Sequence, residues 1–132
     1  MRHSYAWTDG RGHLGVSRAK HCLLIGNTRW HWANRLEKVW RFCDTNPDPH
    51  KLLNLPKPLF AWAAVGAIPT SVALDPVRLI ALKDIPLNHM PIWLGIDRAL
   101  AAWGALNRAK SFGMKSKGLL VADAGTVLSL TK

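Results

Sequence analysis

Acidic residues are scarce in this sequence. Eight Asp and Glu stand against eighteen Lys and Arg, leaving a formal charge of +10. An excess of that size suits anionic partners: nucleic acid, anionic membranes, or small polyanions such as nucleotides. Cysteine is nearly absent too. Two thiols, Cys22 and Cys43, exclude a disulfide framework, and no Cys/His spacing has the form of a zinc site. Both are expected to be buried thiols, in keeping with a reducing, cytoplasmic compartment. No apolar run approaches the roughly 20 residues that span a bilayer. "MRHSYAWTDGRGHLGVSRAK" lacks the apolar core of a secretory signal and reads as a loose extension over residues 1–20. What is abundant is apolar: 48% of residues are hydrophobic, in a length sufficient for a real core.

"CLLIGNTRWHWA" (22–33) sets an apolar run, a Gly-Asn-Thr turn and a second run in succession, predicting strands at 22–25 and 30–33. "LEKVWRFC" (36–43) alternates Val39 and Arg41 with Trp40 and Phe42. It suits a third, antiparallel strand or a short amphipathic helix, and the alternation favours the strand. Four prolines in "DTNPDPHKLLNLPKP" (44–58) predict a loop without regular structure. "LFAWAAVGAIP" (59–69) reads as a strand buried on both faces, and "VRLIAL" (77–82) as a shorter one. A proline-punctuated loop follows at 83–93.

In "LGIDRALAAWGALNRAK" (94–110), Ile96, Leu100 and Trp103 recur at helical spacing, with Asp97 placed to cap the start and Gly113 to end the helix. Trp62 and Trp103 both lie in runs that look like core. Arg108, Lys110, Lys115 and Lys117 read as a solvated basic surface. "GLLVADAGTVLSLT" (118–131) closes with another strand, turn and strand. Three strands, then strand, strand and helix, predict an α/β domain with a mixed sheet.

The opening hairpin has a relative. "LLIGNT" (23–28) and "LVADAGT" (120–126) share an apolar strand, a glycine and a nearby threonine, and aligning Gly26 with Gly125 sets Leu24 opposite Asp123. Repetition of this kind suggests duplicated domains. Glycine lets backbone N–H groups approach phosphate oxygens, and the threonine hydroxyl adds a donor. An aspartate beside such a turn would hold a neutralising cation.

"IGNTRWHWA", "AVGAIP", "LGIDRALAAWGA" and "VADAGT", in this order and spacing, resemble type III pantothenate kinase over roughly residues 22–132. The resemblance implies ATP-dependent phosphorylation of pantothenate to 4'-phosphopantothenate, the first step toward coenzyme A. It implies an actin-like, sugar-kinase and Hsp70 type of fold built from two RNase H-like domains. Residues 21–117 would form the first, and 118–132 the opening hairpin of a truncated second. Gly26, Asn27 and Thr28 would make the first phosphate turn, and Asp123 to Thr126 the second, with Thr126 contacting ATP and Asp123 a monovalent cation, K⁺ or NH₄⁺. Gly95, Ile96, Asp97 and Arg98 would line the pantothenate site, Asp97 as proton acceptor and Arg98 as anchor for a carboxylate or phosphate. A carboxylate is far too weak a base to ionise an alcohol in advance, so Asp97 would orient the hydroxyl and take its proton late. Mg²⁺ would accompany the ATP, and a full-length protein would form a homodimer.

Three positions depart from the family pattern. Leu24 replaces the aspartate of its Asp-x-Gly-Asn-Thr turn, His31 stands where a lysine is frequent, and Trp93 is the aromatic nearest the place of a substrate-side tyrosine. His31 itself reads as a strand-surface residue. With the sequence stopping six residues after Thr126, a non-catalytic remnant of the fold is the first alternative. A basic nucleic-acid-binding module, using some of the seven tryptophans for stacking, is the second.

Overall fold

The computed structural model describes residues 19–115, 120–124 and 128–131. Three strands, β1 (Lys20–Ile25), β2 (Trp30–Leu36) and β3 (Val39–Thr45), form an antiparallel meander. The fourth strand, β4 (Ala61–Ala64), runs parallel to β1 on its other side, so the sheet order is β3-β2-β1-β4. Register explains the burial. Leu23 faces Trp32 and Ile25 faces Trp30 across the β1–β2 ladder, and all four side chains are buried on one face with Trp62 of β4. Two indoles side by side on β2, with ring centroids 6.3 Å apart, give this face much of its apolar area.

That face is closed by a segment predicted to be a loop. Within 44–58 the chain forms a short helix, α1 (Pro49–Leu53). Proline does not prevent it, because Pro49 occupies the first helical position, where no intrahelical N–H is needed. Asp48 caps the helix by accepting from the Lys51 N–H. Helix α1 delivers Leu52 into the core and sets the Lys51 ammonium over the Trp32 ring at 4.4 Å.

Strand β4 is buried on both faces, through Trp62 and Ala63, as expected for a parallel strand. The shorter strand expected at 77–82 is not formed. Single 3₁₀ turns occupy Pro76–Arg78 and Leu82–Asp84, and only Leu79 bridges to Trp62. The Trp62 indole N–H donates to the Asp75 carbonyl at 2.8 Å, tying this irregular segment to the core.

The long helix, α2 (Ile96–Ser111), follows the predicted span and ends at Gly113, whose φ of 70° suits glycine. Two details differ. The N-cap is Gly95 rather than Asp97, which sits in the first turn. The buried residue of the helix is Ala99, whereas Trp103, expected in the core, is 37% exposed. Ala99 allows close approach to the sheet, and α2 contacts β4.

The expectation for the thiols also needs correction. Cys22 is half-buried and Cys43 is exposed, because β3 is an edge strand whose residues are mostly open to solvent. Burial raises the Cys22 thiol pKa above its ordinary value.

A second hairpin, β5 (Val121–Ala124) with β6 (Leu128–Thr131), is antiparallel like β1–β2. β5 ends directly before Gly125 just as β1 ends directly before Gly26. Thr126, Lys117 and residues 1–18 lie outside the described residues.

Candidate active site

The turn after β1 is closed by its own backbone. The Gly26 N–H donates to the Arg29 carbonyl at 3.0 Å. Gly26 must be glycine for a steric reason. A Cβ there would lie 2.5 Å from the Arg29 oxygen and 3.2 Å from Nε2 of His31. The N–H that the sequence offered to a phosphate is thus spent on the turn. The N–H groups of Asn27 and Thr28 have no partner among the described residues, and both residues are exposed. They are the backbone donors this turn leaves open to solvent.

The end of β4 folds onto that turn. The Ile25 carbonyl accepts two hydrogen bonds, from Val65 N–H at 2.9 Å and Gly66 N–H at 3.1 Å. Gly66 packs so closely on the Gly26 peptide that a Cβ on it would collide with the Gly26 carbonyl. Nothing in the sequence marked Gly66 as part of the site beyond its place in the quoted "AVGAIP". A glycine inside an apolar run is a signal of close backbone approach.

The start of α2 completes the group. Asp97 curls its carboxylate back toward the helix N-terminus, where Oδ1 accepts the Arg98 N–H at 2.9 Å. A Cβ on Gly95 would stand 2.6 Å from that oxygen and 3.9 Å from Cγ1 of Val65. Gly95 therefore leaves room for the carboxylate, beside the β4 terminus. Asp97 is half-buried, and the half-buried Arg98 guanidinium has no partner among the described residues. The turn 26–28, the 65–66 corner and the 95–98 helix start are thus brought into one neighbourhood, although they are far apart in sequence. Ile96 is the first residue of the helix.

A cleft of about 350 Å³ opens beside this corner, bounded by Gly26, Asn27, Trp30, the prolines 47 and 49, and residues 67–70. No charged side chain lines it, and residues 95–98 are not among its walls. Among the described residues no group of three or more His, Cys, Asp or Glu is placed to hold a metal ion. Leu24 contributes hydrocarbon where its counterpart in the second hairpin, Asp123, carries oxygen. The first hairpin therefore does not fit a metal site, and the chemistry below uses no step through a metal.

The described corner carries free backbone donors on the 26–28 turn and a half-buried carboxylate at the start of α2, linked through Val65 and Gly66. The chain is 38% identical to the type III pantothenate kinase of Thermosynechococcus vestitus over 114 residues, covering 83% of this chain and 42% of that protein. It is 37% identical to the type III pantothenate kinase of a Synechococcus species, covering 86% and 44%, and 34% identical to that of a Nostoc species, covering 83% and 49%. The chain belongs to the type III pantothenate kinase family. It spans less than half the length of these relatives. No family model matches the chain, and no solved structure matches it.

Proposed function

We propose that this chain is the phosphate-turn and pantothenate-binding half of an ATP-dependent pantothenate kinase. The observation that carries the reading is the meeting of the Gly26 turn, Gly66 and the Gly95–Asp97 helix start. In this reading the corner joins an anion-binding backbone to a proton acceptor, and the contacts among the three segments support it. The substrate hydroxyl oxygen attacks the γ-phosphorus of ATP, the bond from that phosphorus to the bridging oxygen breaks, and ADP leaves. The hydroxyl proton passes to the Asp97 carboxylate as the new bond forms. The N–H groups of Asn27 and Thr28 steady the phosphate oxygens. Arg98, without a competing partner among the described residues, holds the pantothenate carboxylate or a phosphate.

In the same reading the fold is of the actin and sugar-kinase type, with residues 21–117 as the first RNase H-like domain. The strand order β3-β2-β1-β4 and the second hairpin β5–β6 support it. In this reading Asp123 and Thr126 would belong to a second phosphate turn, where Asp123 would hold a monovalent cation and Mg²⁺ would accompany the ATP, each supplying charge to offset the phosphates. A homodimer is the expected assembly of the full-length protein.

The test is to join this chain to the remaining portion of the Thermosynechococcus relative and measure pantothenate-dependent ADP release. Turnover that disappears with Asp97→Asn supports the reading. A folded, ATP-binding chimera with no turnover would make the chain a non-catalytic remnant of the family.

A further inference from the structure

We propose that the end of the sheet remote from the Gly26 turn is a surface for single-stranded nucleic acid, built from cations interleaved with exposed aromatic rings. The strand register assembles it. Lys20 of β1 faces Arg35 of β2, and Arg35 faces Trp40 of β3. Alternation along β2 puts Arg35 on the face opposite the buried Trp32. The Arg35 guanidinium lies over the Trp40 ring at 5.6 Å, and Phe42 stands next to Trp40 with the two ring planes 12° apart. Toward β4, the Lys20 ammonium lies over the Phe60 ring at 4.3 Å, and the Arg78 guanidinium reaches the same ring at 5.9 Å. Arg78, Phe60, Lys20, Arg35, Trp40 and Phe42 thus form one stripe from β4 to β3, about 14 Å across three strand spacings.

The rings are open and the cations are not neutralised. Phe42 is 77% exposed, Phe60 45% and Trp40 42%. Among the described residues no carboxylate is ion-paired with Lys20, Arg35 or Arg78. Glu37, in the adjoining turn, meets Arg35 through its carbonyl, which accepts the Nε–H. Asp75, close to Arg78 in sequence, accepts with its carboxylate from the Val77 N–H. Cations alone would suit any polyanion. Exposed rings among them require a partner that offers flat faces as well as negative charge, at short intervals. A single strand does so, because its bases stack on aromatic rings while its phosphates meet the cations. A duplex keeps its base faces inside the helix, and an acidic peptide has none. The formal charge of +10 draws such a strand in from a distance. Lys20 and Ile25 stand at opposite ends of β1, about 17 Å apart, so the stripe is separate from the Gly26 corner and does not depend on the kinase reading.

The experiment measures fluorescence anisotropy of a labelled single-stranded oligothymidylate with the 132-residue chain, over a series of salt concentrations. An abasic strand of equal length, a duplex and phosphatidylserine vesicles are the comparison probes. Oligothymidylate should bind more tightly than the abasic strand or the duplex. Phe42→Leu and Trp40→Leu should each weaken it at least about fivefold, the lower end of a base-stacking contact. Arg35→Gln removes a phosphate contact, so the slope of log affinity against log salt should flatten by about 0.7. Arg108→Gln, which removes a cation–ring pair on α2, should leave the affinity within about twofold. All four substitutions replace side chains open or partly open to solvent, and circular dichroism melts check that the variants fold; the salt slope of Arg35→Gln tests the surface without altering a ring. The proposal is overturned if the abasic strand binds as tightly as oligothymidylate, or if the ring variants bind like the original chain. It is equally overturned if the chain takes up vesicles but no oligonucleotide, or binds none of the probes.

Discussion

Replacing Gly66 with alanine tests the corner on which the site depends. The added methyl would meet the carbonyl of Gly26, and Cα of Asn27 at 3.1 Å, both backbone rather than movable side chain. To admit it, the β4 terminus must back away from β1. That motion stretches the two hydrogen bonds from Val65 and Gly66 to the Ile25 carbonyl, each worth about 1 kcal/mol net. Residual overpacking adds about 1–3 kcal/mol. The expected loss is about 3–5 kcal/mol if both bonds are lost, a large part of the roughly 5–15 kcal/mol that holds a domain together. Urea unfolding followed by tryptophan fluorescence reads it directly, since Trp30, Trp32 and Trp62 are buried. Gly104→Ala is the matched control. A Cβ at Gly104, inside α2, meets nothing within 4 Å, so this variant should gain about 0.5–1 kcal/mol from helix propensity. If Gly66→Ala unfolds within about 0.5 kcal/mol of the original chain, the close approach of the two turns is wrong, and the assembly of the site with it.

Asp97→Asn should cost the chain less than about 1 kcal/mol in urea unfolding, because the residue is a first-turn acid rather than the cap. The joined chimera should lose at least about a hundredfold in turnover, and unchanged turnover would show that Asp97 takes no proton. Trp62→Phe removes the donor to the Asp75 carbonyl and should destabilise by about 1–3 kcal/mol, read by the shift of the urea midpoint. A maleimide should label Cys43 well before Cys22, as the exposed thiol on the edge strand; equal rates would contradict the β3 edge position. Cys22 has a folded pKa raised by burial. Its protonated form stabilises the fold fully below the unfolded pKa, and that contribution is lost as pH rises through the folded value. Alkaline destabilisation should therefore shrink in Cys22→Ala, measured by thermal melts across the alkaline range.

The meander was legible because period-two alternation and a Gly-Asn-Thr turn act locally. Of the 36–43 segment, the strand expected there forms only from Val39 onward and runs on to Thr45, because Leu36 ends β2 and residues 37 and 38 make the turn between the two strands. Helix α2 was legible from its spacing and its terminal glycine. The helix at Pro49–Leu53 is hidden in the sequence by its proline, which breaks helices in general and is harmless at the first helical position. An apolar run such as 77–82 describes equally well a chain that lies on a core without joining the ladder, tied there at Trp62. Trp103 shows the same limit, since helical period places a residue on a face without saying what covers that face. Of the site, Gly26, Asn27, Thr28, Gly95 and Asp97 stood out in short motifs. Gly66 did not, because its role is a close backbone approach between segments far apart in the sequence.

The parallel pairing of β4 with β1 also bears on the order of folding. β1, β2 and β3 are joined by short connections and close locally. The Ile25 carbonyl, by contrast, waits for Val65 and Gly66 from a distant part of the chain, across a loop whose closure has an entropic cost that local contacts avoid. During synthesis the meander can assemble as soon as it emerges, whereas the corner that positions the turn forms only after β4 has followed. A meander released before that point would carry the Gly-Asn-Thr motif in sequence while lacking the backing that sets its geometry.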